Sequence, residues 1–170
     1  MRKIIISSFL LISSIVFSQV AIGKSVVTNT SVSLEFGTGN RGLVLPWVDA
    51  DTSVTGAVSG TIIYDTTDKK VKVKLASGWK DLSVDGTGTV DTTLQDALTD
   101  NSATKVVLGS NAASDTTPGI LVLTDTNKAM ILPKTTYDAI VQPAAGMMIY
   151  DTSAKQLAVF NGTVWSFWKP

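Results

Sequence analysis

The sequence contains no cysteine and no histidine. The first absence excludes disulfide staples, thiol nucleophiles, thiolate zinc sites and a lipid-modified cysteine. The second removes Ser-His-Asp triads, the commonest metal ligand and the usual general base near neutral pH. Glutamate occurs once, at Glu35, and charged residues make up only 16% of the chain. Arg2 and Lys3 lie in a segment expected to be removed, which leaves the remainder slightly acidic. No basic patch is left to hold phosphates, so nucleic acid is not an expected partner. Long apolar runs are also lacking, except from Ile4 to Phe17, which is too short to span a bilayer.

That run follows Met1-Arg2-Lys3 and precedes "VFSQ", the pattern of a cleaved secretory signal over residues 1–18. The expectation is a secreted or outer-surface protein beginning near Gln19, with no stable membrane span after signal removal. Threonine, serine, valine and glycine are abundant, and apolar residues alternate with polar ones. Both features favour strands joined by turns over helices or disorder.

One phrase is written twice. "GTIIYDTTDKKVKVKLASGWKDL" (Gly60 to Leu82) aligns without gaps on "GMMIYDTSAKQLAVFNGTVWSFW" (Gly146 to Trp168). Tyr64 and Asp65 answer to Tyr150 and Asp151, and Trp79 to Trp165. Upstream, "RGLVLP" (Arg41 to Pro46) matches "KAMILP" (Lys128 to Pro133), and "VAIG" (Val20 to Gly23) matches "VVLG" (Val106 to Gly109). The fold expected is mainly β: two tandem small modules, residues 19–84 and 105–170, joined by a linker over 85–104. Each ends in a three-stranded antiparallel meander, with one or two short helices elsewhere.

In the second meander "MMIY" and "QLAVF" pair across "DTSAK", and Asn161-Gly162 offers the two positive-φ positions of a type I′ turn before "TVWSFW". In the first, "ASG" takes that place. Thr92 or Thr93 can cap "LQDAL", and Thr135 or Thr136 can cap "YDAIV" ahead of Pro143. "DADTSVTGAVSG" is expected to be a loop.

No catalytic, metal or cofactor site is expected. Asp65 with Asp68, and Asp151, could in principle hydrolyse a glycoside. An aspartate opening a turn can instead accept bonds from backbone amides two residues on. The turn role accounts for both copies, and catalysis for at most one. "DGTGTVD" (Asp85 to Asp91) hints at calcium but lacks the acidic density of a calcium loop, and Gly-Thr runs serve as linkers. "GTGN" (Gly37 to Asn40) lacks the lysine of a phosphate loop and reads as a turn. Equivalent placement puts Trp79 and Trp165 in the same interior position of the two copies. Trp47 and Trp168 have no counterparts and are the candidates for an exposed glycan contact. Val32, Leu34 and Phe36 alternate in "SVSLEF" and are candidates for pairing with a sheet edge in another subunit.

"QVAIGKSVVTNTSVSLEFGTGNRGLVLP" with "PAAGMMIYDTSAKQLAVFNGTVWSFW" resembles secreted surface modules of gliding Gram-negative bacteria, and similar segments recur in phage-tail-fibre-like proteins. Here Ala21 stands where that pattern has glycine, and "LPWV" and "LPKT" replace its Leu-Pro-Arg-Met. The resemblance covers nearly the whole chain after the signal and implies a surface role without naming an activity. The family often places such modules before larger domains, and the ending at Lys169-Pro170 points to the module itself as the working part. The expected function is therefore a non-enzymatic extracellular protein that self-associates as a fibre, surface-layer or adhesive subunit. Its expected partners are copies of itself or other surface proteins. The alternative is a carbohydrate-binding module.

Overall fold

Two meanders anchor the chain. The computed structural model describes residues 19–101 and 103–168, so the signal segment lies outside the described residues. In the first meander, strands β5 (Ile62–Asp65), β6 (Lys70–Leu75) and β7 (Gly78–Asp81) run antiparallel in sequence order. In the second, β12 (Met147–Asp151), β13 (Gln156–Phe160) and β14 (Trp165–Trp168) do the same. Registers correspond: Tyr64 faces Val71 and Tyr150 faces Leu157, while Lys74 faces Trp79 and Phe160 faces Trp165. Both tight loops end on a left-handed lysine, Lys69 (φ 56°) and Lys155 (φ 55°).

The upstream strands repeat as well, with parallel pairing. β1 (Val20–Ile22) pairs with β2 (Val32–Phe36), as β8 (Val106–Leu108) does with β9 (Leu121–Leu123). β4 (Trp47–Val48) pairs with β5, as β11 (Lys134–Thr135) does with β12. Between them lie β3 (Leu43–Val44) and its counterpart β10 (Ala129–Ile131). Among the described residues, helix is confined to α1 (Thr93–Asp96) and three single 3-10 turns, Asp51–Ser53, Ala112–Ser114 and Tyr137–Ala139. Thr92 and Thr136 occupy the caps without side-chain capping bonds. The stretch expected to be a plain loop carries the first of these turns, at the place equivalent to Tyr137–Ala139.

The copies are not strung out. β10 of the second copy pairs in parallel with β2 of the first, Met130 beside Leu34. β3 of the first copy pairs antiparallel with β12 of the second, Leu43 beside Met148. One hydrophobic cluster contains Leu45, Tyr64 and Val71 from the first copy with Ala145, Met148 and Val159 from the second. Across it the Tyr64 hydroxyl donates to the Asn161 carbonyl at 2.8 Å, and Trp47 Nε1 donates to the Ala145 carbonyl at 2.8 Å. A small module that cannot fill its own interior gains apolar burial by sharing one.

Two local expectations are corrected. Strand β2, with Val32, Leu34 and Phe36, is no edge, because β1 and β10 occupy both its sides and Val32 and Leu34 are buried. The Asn161-Gly162 hairpin is not a two-residue type I′ turn. Its loop runs from 161 to 164 between Phe160 and Trp165, and only Gly162 has positive φ (97°). The Asn161 side chain sets this turn by accepting from the amides of Thr163 (2.9 Å) and Val164 (2.8 Å). The expected linker over 85–104 touches the second copy near its start. Gly88 and Thr89 lie so close to Asn161 and Gly162 that a Cβ on either glycine would collide with the facing backbone, and Val90 packs on the shared core.

Candidate assembly surface

The aspartates of the repeated "YDT" act on their own backbone. Asp65 Oδ1 accepts from the amides of Thr67 (3.0 Å) and Asp68 (2.9 Å), and its Oδ2 accepts from the Asp51 amide (3.0 Å). Asp151 repeats this with Ser153 (2.8 Å), Ala154 (2.6 Å) and Tyr137 (2.7 Å). Each carboxylate therefore ties the hairpin loop to the 3-10 turn beside it.

The copies differ at the next position inward. Buried Lys72 donates to Asp51 (3.0 Å), Asp65 (2.9 Å) and Asp68, whereas its counterpart Ala158 is buried and apolar. Burial pushes the Lys72 ammonium down, but the three carboxylates outweigh it and hold its pKa above the usual lysine range. Burial likewise pushes Asp65 up, and the Asp68 amide with Lys72 brings it to a net lowering. Glu35 is held down to about 2 by Lys24 (2.6 Å) and by the hydroxyl and amide of Thr28 (2.6 Å each). Buried Tyr64 is pushed up to about 12 by desolvation, with the neighbouring Asp65 charge acting in the same direction, so its phenol stays protonated and donating. These groups form structural ion pairs and turns.

Among the described residues, no cluster of three or more acidic side chains stands arranged for a metal ion. Asp85 accepts from the amide and hydroxyl of Thr87, and Asp91 does so from Thr93, so each serves its own turn.

The tryptophans divide differently from the sequence expectation. Trp79 and Trp165 sit at equivalent sheet positions, yet both are half-buried rather than interior. Each lies against the residue opposite it: Lys74 Nζ stands 5.5 Å above the Trp79 ring, and the Phe160 and Trp165 centroids are 5.2 Å apart. Trp47 is half-buried: its ring packs on Tyr64 (6.3 Å) and its N–H donates to the Ala145 carbonyl. Trp168 does stand out at 40% exposure on β14.

What sequence reasoning missed is an inequality between equivalent strands. Leu34 in β2 is 2% exposed, but Leu121, at the same place in β9, is 42% exposed. Ser33 is fully buried and its counterpart Ile120 is 64% exposed. Tyr64 is fully buried, while Tyr150 is 38% exposed. The polar residue thus lies inside and the isoleucine outside. The readable signal was "GILVL" (Gly119 to Leu123), an uncharged apolar strand without the lysine or proline that normally blunts an edge.

Residues 109–169, which span most of the second copy, match the family described as "Phage tail like trimerisation region". No curated protein and no solved structure matches the chain. The match supports the phage-tail-fibre-like part of the resemblance and an oligomerising, fibre-like structural role.

Proposed function

We propose that this protein is a secreted, non-enzymatic structural subunit that self-associates in an extracellular fibre, surface layer or adhesive appendage. The observation that carries this reading is that the segment matching a trimerisation region also exposes Ile120 and Leu121, whose first-copy equivalents are buried. An apolar, uncharged strand left with one free edge is a template for pairing with another chain. No helix among the described residues is long and apolar enough to cross a membrane. Size-exclusion chromatography with light scattering, together with electron microscopy of the purified protein, tests the reading. The expected result is a mass several times that of the protomer, or filaments. A protein that stays monomeric at high concentration overturns it.

A carbohydrate contact is the second reading, favoured by an aromatic group on the second copy. The Tyr137 and Phe167 rings meet edge to face at 5.4 Å, with exposures of 43% and 37%. Such rings present apolar faces to sugars. Glycan-array binding lost in Phe167→Ala and Trp168→Ala supports it, and silence across a broad array removes it.

A further inference from the structure

The pairings between the two copies use only half of what a duplicated unit offers. β3 pairs with β12 and has no second strand beside it, while its counterpart β10 pairs with β2 and likewise has one free side. β9 pairs with β8 alone, although its counterpart β2 has a strand on each side. β5 is covered by β4 only at Tyr64 and Asp65, whereas β12 carries both β11 and β3 along the same edge. These statements hold among the described residues. Each open edge is thus of a type whose partner strand exists in the opposite half of the same sequence.

We propose that the second half of one chain docks onto the first half of a second copy by repeating the pairing seen between the halves of one chain. Transferring each register to the equivalent positions sets β9 parallel to the partner's β3, with Leu121 beside Leu43 of the partner subunit and Val122 beside Val44 of the partner subunit. It sets β10 antiparallel to the partner's β5, with Met130 beside Ile62 of the partner subunit and Ile131 beside Thr61 of the partner subunit.

A single neighbouring copy supplies both strands, because β3 and β5 lie in the same half. The proposal rests on the self-association reading and names its surface.

Two further observations converge on this face. Within the chain, Tyr64 lies over Gly146, where a Cβ would meet the tyrosine Cβ at 2.7 Å. The equivalent pair is Tyr150 with Gly60. Tyr150 is partly exposed, and a Cβ at Gly60 would meet nothing within 4 Å. The docking therefore brings Tyr150 over Gly60 of the partner subunit. Val44, a strand residue the docking would cover, is 44% exposed. Because the two surfaces differ, the contact is head-to-tail and yields a ring if the rotation closes, or a filament if it does not.

The absence of native cysteine makes cross-linking a clean test. Under oxidation, V44C/V122C should form disulfide-linked dimers and larger species that collapse with reductant, joined through a peptide linking residues 44 and 122 of different chains. Neither single variant should do so. Leu121→Lys, at a site already exposed, should shift the light-scattering mass to that of the protomer without changing the circular dichroism. A folded V44C/V122C that stays unlinked in an oligomeric protein overturns this docking and leaves self-association standing. So does a 44–122 link within one chain, or a Leu121→Lys variant of unchanged mass. A monomeric unsubstituted protein overturns both.

Discussion

Asn161→Ala should be among the most damaging single side-chain truncations in the molecule. Asn161 is fully buried, its Oδ1 accepts from two amides, and its Nδ2 donates to the Asp85 carbonyl at 3.0 Å. Those three bonds hold the β13–β14 turn and clamp the chain leaving the first copy onto the second. At about 1 kcal/mol net for each bond, their loss costs about 3 kcal/mol, and more where a buried donor is stranded. For a cooperative unit of this size that lowers Tm by about 6–12 °C. Tyr64→Phe removes only the hydroxyl bond to the Asn161 carbonyl, and its cost should be about 1–2 kcal/mol. Urea unfolding followed by tryptophan fluorescence and by circular dichroism measures both. Because the copies share a core, the two probes should report one coincident transition in each variant. An Asn161→Ala protein within about 0.5 kcal/mol of the parent would refute the clamp, since surface-like substitutions stay within that range.

Lys72→Met should cost about 3 kcal/mol at neutral pH, since it leaves the buried Asp65 carboxylate without its cation. The cost sits at the low end of the usual range because Asp65 keeps three amide donors, as Asp151 does opposite Ala158; a change below about 1 kcal/mol in chemical denaturation would contradict it. Stability should fall on acidification. Glu35 has its carboxyl lowered from 4.5 to about 2, so its contribution is complete above pH 4.5 and is lost as pH drops towards 2. Asp65, lowered from 3.8, adds a loss that begins below that pH. Glu35→Gln should flatten this limb of a Tm-against-pH curve, and an unchanged slope would speak against the Lys24–Glu35 pairing. Ser33→Ala should be neutral or up to about 1 kcal/mol stabilising, because the buried Ser33 hydroxyl has no hydrogen-bond partner among the described residues. A clear loss on denaturation would mean that the hydroxyl does bond.

The parts of the fold legible in the sequence are those set by local chemistry. The meanders show as period-2 apolar runs, and the repeated Tyr-Asp-Thr marks the same turn twice. The mainly β architecture follows from these. Strand partners distant in sequence were not legible. β2 alternates as an edge strand would, and nothing within Ser31–Phe36 announces that Ala129–Ile131 will lie beside it. β3, β4 and β11 are two-residue strands whose existence depends on neighbours already in place. Asn161-Gly162 misled because Asn161 sets the turn through its side chain and only Gly162 takes a positive φ. The tryptophans misled because equivalent sheet positions need not be interior ones: Trp79 and Trp165 are both half-buried, each against the strand residue opposite it. The candidate surface lies in unequal exposure of counterpart residues, Leu34 against Leu121 and Ser33 against Ile120, which depends on tertiary packing and not on the local sequence.

Self-association requires that the partly exposed second-copy strand meet another chain. Sedimentation equilibrium on the purified protein and on Leu121→Lys, at matched concentrations, asks this directly. A multiple of the protomer mass is expected for the first and the protomer mass for the second; two monomers would contradict pairing between chains.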